Sequence, residues 1–193
     1  MESGELPIFA LLAVVLTLSA AILSMVGVHL LPLLQARGLE LSVAVGLGAM
    51  VGPSQVGARV VEMMAARHYQ PIWTMVASAV LVAVGIGLLF LGFPAYSIAI
   101  VVYGAGNGIG SVARGTLPLS LFGSSRYPML MGRLSRLILI SMALAPFLGA
   151  IAFEAGGANL TLGLLAFLGA ANVLFVGLLW KLRTRRPTAT DVD

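Results

Sequence analysis

Residues 72–113 read IWTMVASAVLVAVGIGLLFLGFPAYSIAIVVYGAGNGIGSVA, without one charged side chain. A helix that crosses the hydrocarbon core of a bilayer needs about 20 apolar residues, so this run holds two crossings. Gly92-Phe93-Pro94 divides it, because glycine and proline punctuate chains and the residue before a proline disfavours helix. The spacing predicts one span over 72–91 and another over 95–121.

Working outward, the same reading repeats. Residues 6–34 carry no formal charge apart from a possible one on His29, which gives a first span over 7–34. Gln35–Glu40 is a polar turn, and a second span follows over 42–64, with Arg59 and Glu62 in its last turns. Downstream, Gly123–Pro128 is a loop. A fifth helix starts near Pro128 and gives a span over 130–153, Glu154–Asn159 turns the chain, and a sixth span covers 160–180. The reading is an all-α membrane protein with six transmembrane helices in one domain, residues 1–187, and a flexible cytoplasmic tail, 188–193.

Composition agrees with this class. The 193 residues are 60% hydrophobic and 9% charged, where soluble domains carry roughly 25% charged residues. Mean hydropathy is +1.05. The 23 glycines fit as well, since glycine is commoner in transmembrane helices. The acidic start, Met1-Glu2-Ser3-Gly4-Glu5, and the long apolar run after it describe a retained helix rather than a cleaved signal.

The pI of about 10.1 has a topological reading. With the N-terminus inside, ten of the 11 basic residues fall at the inner face, and only Arg37 falls outside. That is the positive-inside bias. It predicts cytoplasmic N- and C-termini in a multi-pass protein of the bacterial plasma (inner) membrane, with lipid as partner and no nucleic acid.

Polar groups inside a span are costly enough to mark a pathway, a packing contact or a gate. Tyr103, Asn107, Ser111 and Arg114 share one helical stripe. Gly104, Gly106, Gly108 and Gly110 lie among them, so the helix reads as packed on one side and wet on another. Tyr103 and Asn107 are candidate substrate contacts, and Gln55, one turn before Arg59, supports them. Arg59, Glu62, Arg67 and Arg114 are candidates for an inner gate. His29 is a proton carrier or substrate ligand, since imidazole titrates near neutral pH, or it bonds a carbonyl freed by Pro32. Two histidines and no cysteine leave no metal-ligand spacing, no catalytic constellation and no phosphate loop, so no enzyme and no cofactor is expected.

Several segments together resemble the C-terminal half of a major facilitator superfamily transporter. They are Gly52-Pro53-Ser54-Gln55-Val56-Gly57-Ala58-Arg59, Tyr103-Gly104-Ala105-Gly106-Asn107-Gly108, Ala113-Arg114-Gly115-Thr116-Leu117-Pro118-Leu119 and Met131-Gly132-Arg133-Leu134. The run Ala145-Pro146-Phe147-Leu148-Gly149-Ala150, with Glu154-Ala155-Gly156-Gly157, is similar to a drifted glycine-proline motif of the family's antiporters. The family's loop motif after the second helix carries an acidic-basic pair. Here Arg67 matches, Ala66 replaces the acid, and Glu62 stands in one turn earlier. The resemblance implies half of a transporter fold and a secondary active transporter, a proton-coupled exporter of a small organic solute. One half implies a homodimer. The alternatives are a non-transporting membrane subunit, or one half of a split or truncated transporter that needs a separate N-terminal half.

Overall fold

The computed structural model describes residues 6–65 and 69–184, which are helical almost throughout and include no strand. The elements are α1 (Leu6–Ala36), α2 (Leu41–Ala49), α3 (Val51–Ala65), α4 (Pro71–Phe90) and α5 (Tyr96–Thr184). Four helical runs are long and apolar enough to cross a membrane: α1, α2 with α3, α4 and α5. Non-helical backbone at Gly123, Gly156 and Gly157 breaks α5 into legs 96–122, 124–155 and 158–184, here α5a, α5b and α5c.

Two buried apolar clusters fix the direction of each leg. The first joins Ile22–Leu34 of α1, Ala44 of α2, Val82–Leu89 of α4, Ala99–Tyr103 of α5a, Ala145 of α5b and Ala158–Leu165 of α5c. The second joins Ile8–Leu16, Ile72–Ala79, Ala113–Phe122, Leu130–Leu134 and Val176–Leu179. So α1, α4 and α5b run from the second cluster toward the first, while α5a and α5c run back. A hydrogen bond from Thr74 of α4 to Glu62 of α3 sets the end of α3 beside the start of α4, so α2–α3 also runs back. Successive legs alternate in direction, and α5 folds twice on itself.

Four of the reversals use glycine with positive φ: Gly38, Gly92, Gly123 and Gly157, at 63° to 89°. A Cβ makes that backbone region costly. After Gly123 the helix resumes at once, ahead of Pro128 where the sequence placed its start. Pro128 falls just past the first turn of this leg, where its missing N–H leaves the Ser124 carbonyl without its ladder donor. A further difference lies at Met50, where α2 gives way to α3. Pro53 cannot bond the Ala49 carbonyl, so the helix is interrupted there within a run that is still one candidate span, Leu41–Ala65.

α5a is held at its centre by two interleaved pairs of glycines. Gly104 and Gly108 face α3: a Cβ on Gly104 would collide with Ser54, and one on Gly108 with the Gln55 carbonyl. Gly106 and Gly110 face α4. A Cβ on Gly106 would come within 2.7 Å of Val82 N, and one on Gly110 would collide with Ser78. Gly85 of α4 completes the contact, where a Cβ would meet Tyr103 N at 2.6 Å. The glycines therefore pack against two neighbours, not the single packed side the sequence suggested.

α1 and α5b lie parallel and are tied by side chains bonded to the opposite main chain. Ser141 Oγ donates to Thr17 O at 3.1 Å, Ser24 Oγ to Met142 O at 2.7 Å, and His29 Nε2 bonds Pro146 O at 2.9 Å. The middle bond has a clear cause. Pro146 has no N–H for the Met142 carbonyl one turn earlier, and Ser24 supplies the missing donor. At the other end of α1, Arg37 Nη2 donates to Phe90 O at the C-terminus of α4 at 2.9 Å. A cation is favoured there by the helix dipole.

The burial is uneven. In the most apolar stretch of α2–α3 only 6% is buried, against 39%, 50% and 33% in α1, α4 and α5. Val43, Val45, Val56, Val60 and Val61 stand exposed along it. Replacing Gly106 or Gly108 with alanine should destabilise the fold by about 1–3 kcal/mol through overpacking. Gly115→Ala, where a Cβ meets nothing within 4 Å, should be neutral. Thermal unfolding of the three variants in detergent checks this.

Candidate functional site

Four of the polar residues singled out in the sequence line one of two chambers, Gln55 and Tyr103 the first and Asn107 and Arg114 the second. The first is an open cleft of about 500 Å³ between α1, α2, α3 and α5a. Its walls are apolar, with Val26, Leu30 and Leu31 of α1 and Val45 of α2, and its polar members are Gln55 and Tyr103. Ligand sites of such volume commonly combine apolar walls with a few placed polar groups. Tyr103 is only 2% exposed, so it forms the back of the cleft rather than projecting into it.

The second chamber is an internal cavity of about 10 Å³ between α1, α4, α5a and α5c. Asn107 and Arg114 line it, together with Ser19, Ser78 and Asn172. The Tyr103 hydroxyl lies next to the Asn107 side chain. Neither Tyr103 Oη nor Asn107 Nδ2 reaches hydrogen-bonding geometry with any partner among the described residues. Tyr103 thus lines the cleft, with its hydroxyl beside Asn107, which lines the cavity. The residues read as one stripe therefore border two spaces, and Ser111 among them lines neither and donates to Gly108 O at 2.7 Å.

The gate candidates separate further. Arg59 is exposed on α3 and is an electrostatic neighbour of Arg114. Glu62 is buried and holds two hydroxyls: Thr74 Oγ1 donates to Oε1 and Tyr69 Oη to Oε2, each at 2.6 Å. This carboxylate ties the end of α3 to the start of α4. Arg67, with its neighbours Ala66 and His68, lies outside the described residues. His29 is buried against α5b, with its ring bonded to Pro146 O and packed on Gly149, and it is not part of the cleft wall. Its carbonyl partner is on α5b, not at the Pro32 kink.

Sequence reasoning passed over Ser19, Ser78, Thr74 and Asn172. The hydroxyls carry no clear signal, because serine in a helix can bond its own preceding turn, as Ser19 does to Val15 O at 2.9 Å. Asn172 was readable. It is an amide in an uncharged span, 2% exposed, and subject to the cost argument that singled out Asn107.

The hydrogen bond to Glu62 pushes the Tyr69 hydroxyl up to about 12. A folded pKa above the unfolded value of about 10 means this bond contributes fully below pH 10. Its contribution is lost as pH rises from there toward 12. The tyrosinate absorbance that disappears in Tyr69→Phe should titrate near 12, and in Glu62→Gln it should fall back to about 10.

No family model, no curated protein and no solved structure matches the chain.

Proposed function

We propose that this chain is half of a secondary active transporter of the major-facilitator type, working as a homodimer on a small organic solute. The cleft at Gln55 and Tyr103 carries the reading. It has the volume and the lining of a solute site, yet it is open at the edge of the bundle, beside the one helical run left almost unpacked. A second copy set against α2–α3 would turn two open clefts into one enclosed pathway with closed twofold symmetry.

The breaks at Gly123 and at Gly156 and Gly157 support counting α5 as three crossings, six in all. The basic residues support the orientation. Arg59, Arg114, Arg133 and Arg136 flank the second cluster, and Arg37 lies at the other end, as the positive-inside rule asks of cytoplasmic termini. Trp73 and Trp180, with ring centroids 5.1 Å apart, belong to the same basic end, where interfacial aromatics collect. The location that follows is a bacterial inner membrane. In this reading Gln55 and Tyr103 touch the solute, Asn107 backs Tyr103, and Arg59 and Arg114 form a basic inner mouth. Glu62 latches α3 to α4. Proton-driven export remains the mode that the family resemblance implies, with His29 as the proton candidate.

Purified chain reconstituted alone in liposomes tests this. Uptake of a panel of solutes under an imposed pH gradient should be measurable and should vanish when the gradient is dissipated. Tyr103→Phe and Gln55→Ala should each weaken it while leaving thermal unfolding nearly unchanged. Cysteine introduced as Val56→Cys in this cysteine-free chain should cross-link to its own copy in membranes. No uptake of any solute, with no such cross-link, would favour a non-transporting subunit instead.

A further inference from the structure

The internal cavity bordered by Asn107 and Asn172 holds two buried polar atoms of opposite character. Asn107 Nδ2 is a donor and Asn172 Oδ1 an acceptor, and neither has a partner among the described residues. The orientation of the Asn172 amide is fixed by its neighbour. Ser19 Oγ spends its single proton on Val15 O, so it can only accept from Asn172, and the 3.0 Å contact must be to Nδ2. Oδ1 is therefore the unpartnered atom of an amide that lines the cavity. Ser78 Oγ is likewise committed, donating to Gly106 O at 2.7 Å, which leaves its lone pairs as acceptors.

A buried donor and a buried acceptor left unmade each lose their hydration with nothing in return, so the pair calls for an occupant. A cation would suit Asn172 Oδ1 and Ser78 Oγ but would sit beside the Arg114 guanidinium, which lines the same cavity. An anion would suit Arg114 and Asn107 Nδ2 but would face Asn172 Oδ1. Water alone offers both a donor and an acceptor, and about 10–15 Å³ of such volume is what one water needs, close to the 10 Å³ present.

We infer that a single ordered water is bound in this cavity, accepting from Asn107 Nδ2 and donating to Asn172 Oδ1. It links α5a to α5c, and through Asn172 and Ser19 it reaches α1. This water site makes Asn107 part of an internal cross-brace behind Tyr103. The inference rests on the packing of the bundle and stands whether or not the chain transports.

Radiolytic hydroxyl labelling of the protein in lipid nanodiscs tests it, because a bound water generates radicals where bulk solvent has no access. Met75 lines the cavity and is 2% exposed, while Met25, 1% exposed in the first apolar cluster, serves as the control. Mass spectrometry should find Met75 oxidised and Met25 unmodified in the native chain. The Met75 signal should be lost in the Asn107→Leu, Asn172→Leu double variant. Equal silence of Met75 and Met25 in the native chain would overturn the inference even if the double variant failed to fold. A melting temperature that rises with sodium or chloride at constant ionic strength, and no longer does so in the double variant, would also overturn it, by placing an ion in the cavity.

Discussion

Everything in this bundle depends on how closely α5a can approach its neighbours. Lipid tails are as apolar as the side chains they meet, so burial in a membrane supplies little drive toward helix association, and close van der Waals contact must supply it. The interleaved glycines give α5a two such contacts at once, Gly104 and Gly108 on α3 and Gly106 and Gly110 on α4. With its core pinned from both sides, the polar residues between the glycines are carried to fixed places. Tyr103 is set at the back of the cleft, and Asn107 and Arg114 at the internal cavity. A bulkier residue at any of these glycines would shift a backbone, and the chambers with it.

Hydrogen bonding fastens what packing brings together, and its partners are mostly main-chain atoms. The helical ladder leaves few groups free, so the cross-helix bonds go to carbonyls that can accept a second donor or that a proline has stripped of one. The α1–α5b pair uses three such bonds. α4 and α5a use Ser78 to Gly106 O. By contrast α2–α3, beyond the close approach of its middle to the α5a glycines, is tied to the bundle by side-chain hydrogen bonds at its end, where Glu62 accepts from Thr74 and Tyr69. The bundle is thus a well-tied body with one lightly held arm, and the open cleft lies along that arm.

How much of this was legible in the sequence depended on whether a feature was local. The all-helical character and the reversals at Gly92, Gly123 and Gly156-Gly157 followed from charge-free length and from glycine and proline, which act on their own stretch of chain. The interruption at Met50 was local too, but an unbroken apolar pattern hid the effect of Pro53. Tyr103, Asn107, Ser111 and Arg114 read as one stripe, yet Tyr103 lines the cleft, Asn107 and Arg114 the cavity, and Ser111 bonds Gly108 O. Periodicity says which residues share a face; it does not say how many spaces that face borders. His29 is bonded to a carbonyl 117 residues away, and Asn172 to a serine 153 residues away. Such partners are set by tertiary packing, and one sequence read alone contains no trace of them.

The bond from Ser24 to Met142 O has a consequence for inheritance. The donor is a side chain and must be kept, whereas the acceptor is a main-chain oxygen, present whatever residue occupies position 142. The need for the donor exists only because Pro146 breaks the ladder. A lineage that exchanged Pro146 for alanine would regain the internal bond and release Ser24 from constraint. A lineage that lost Ser24 first would leave a carbonyl without its donor. The two positions, Ser24 and Pro146, lie on different helices and form an epistatic pair in which the order of substitution matters.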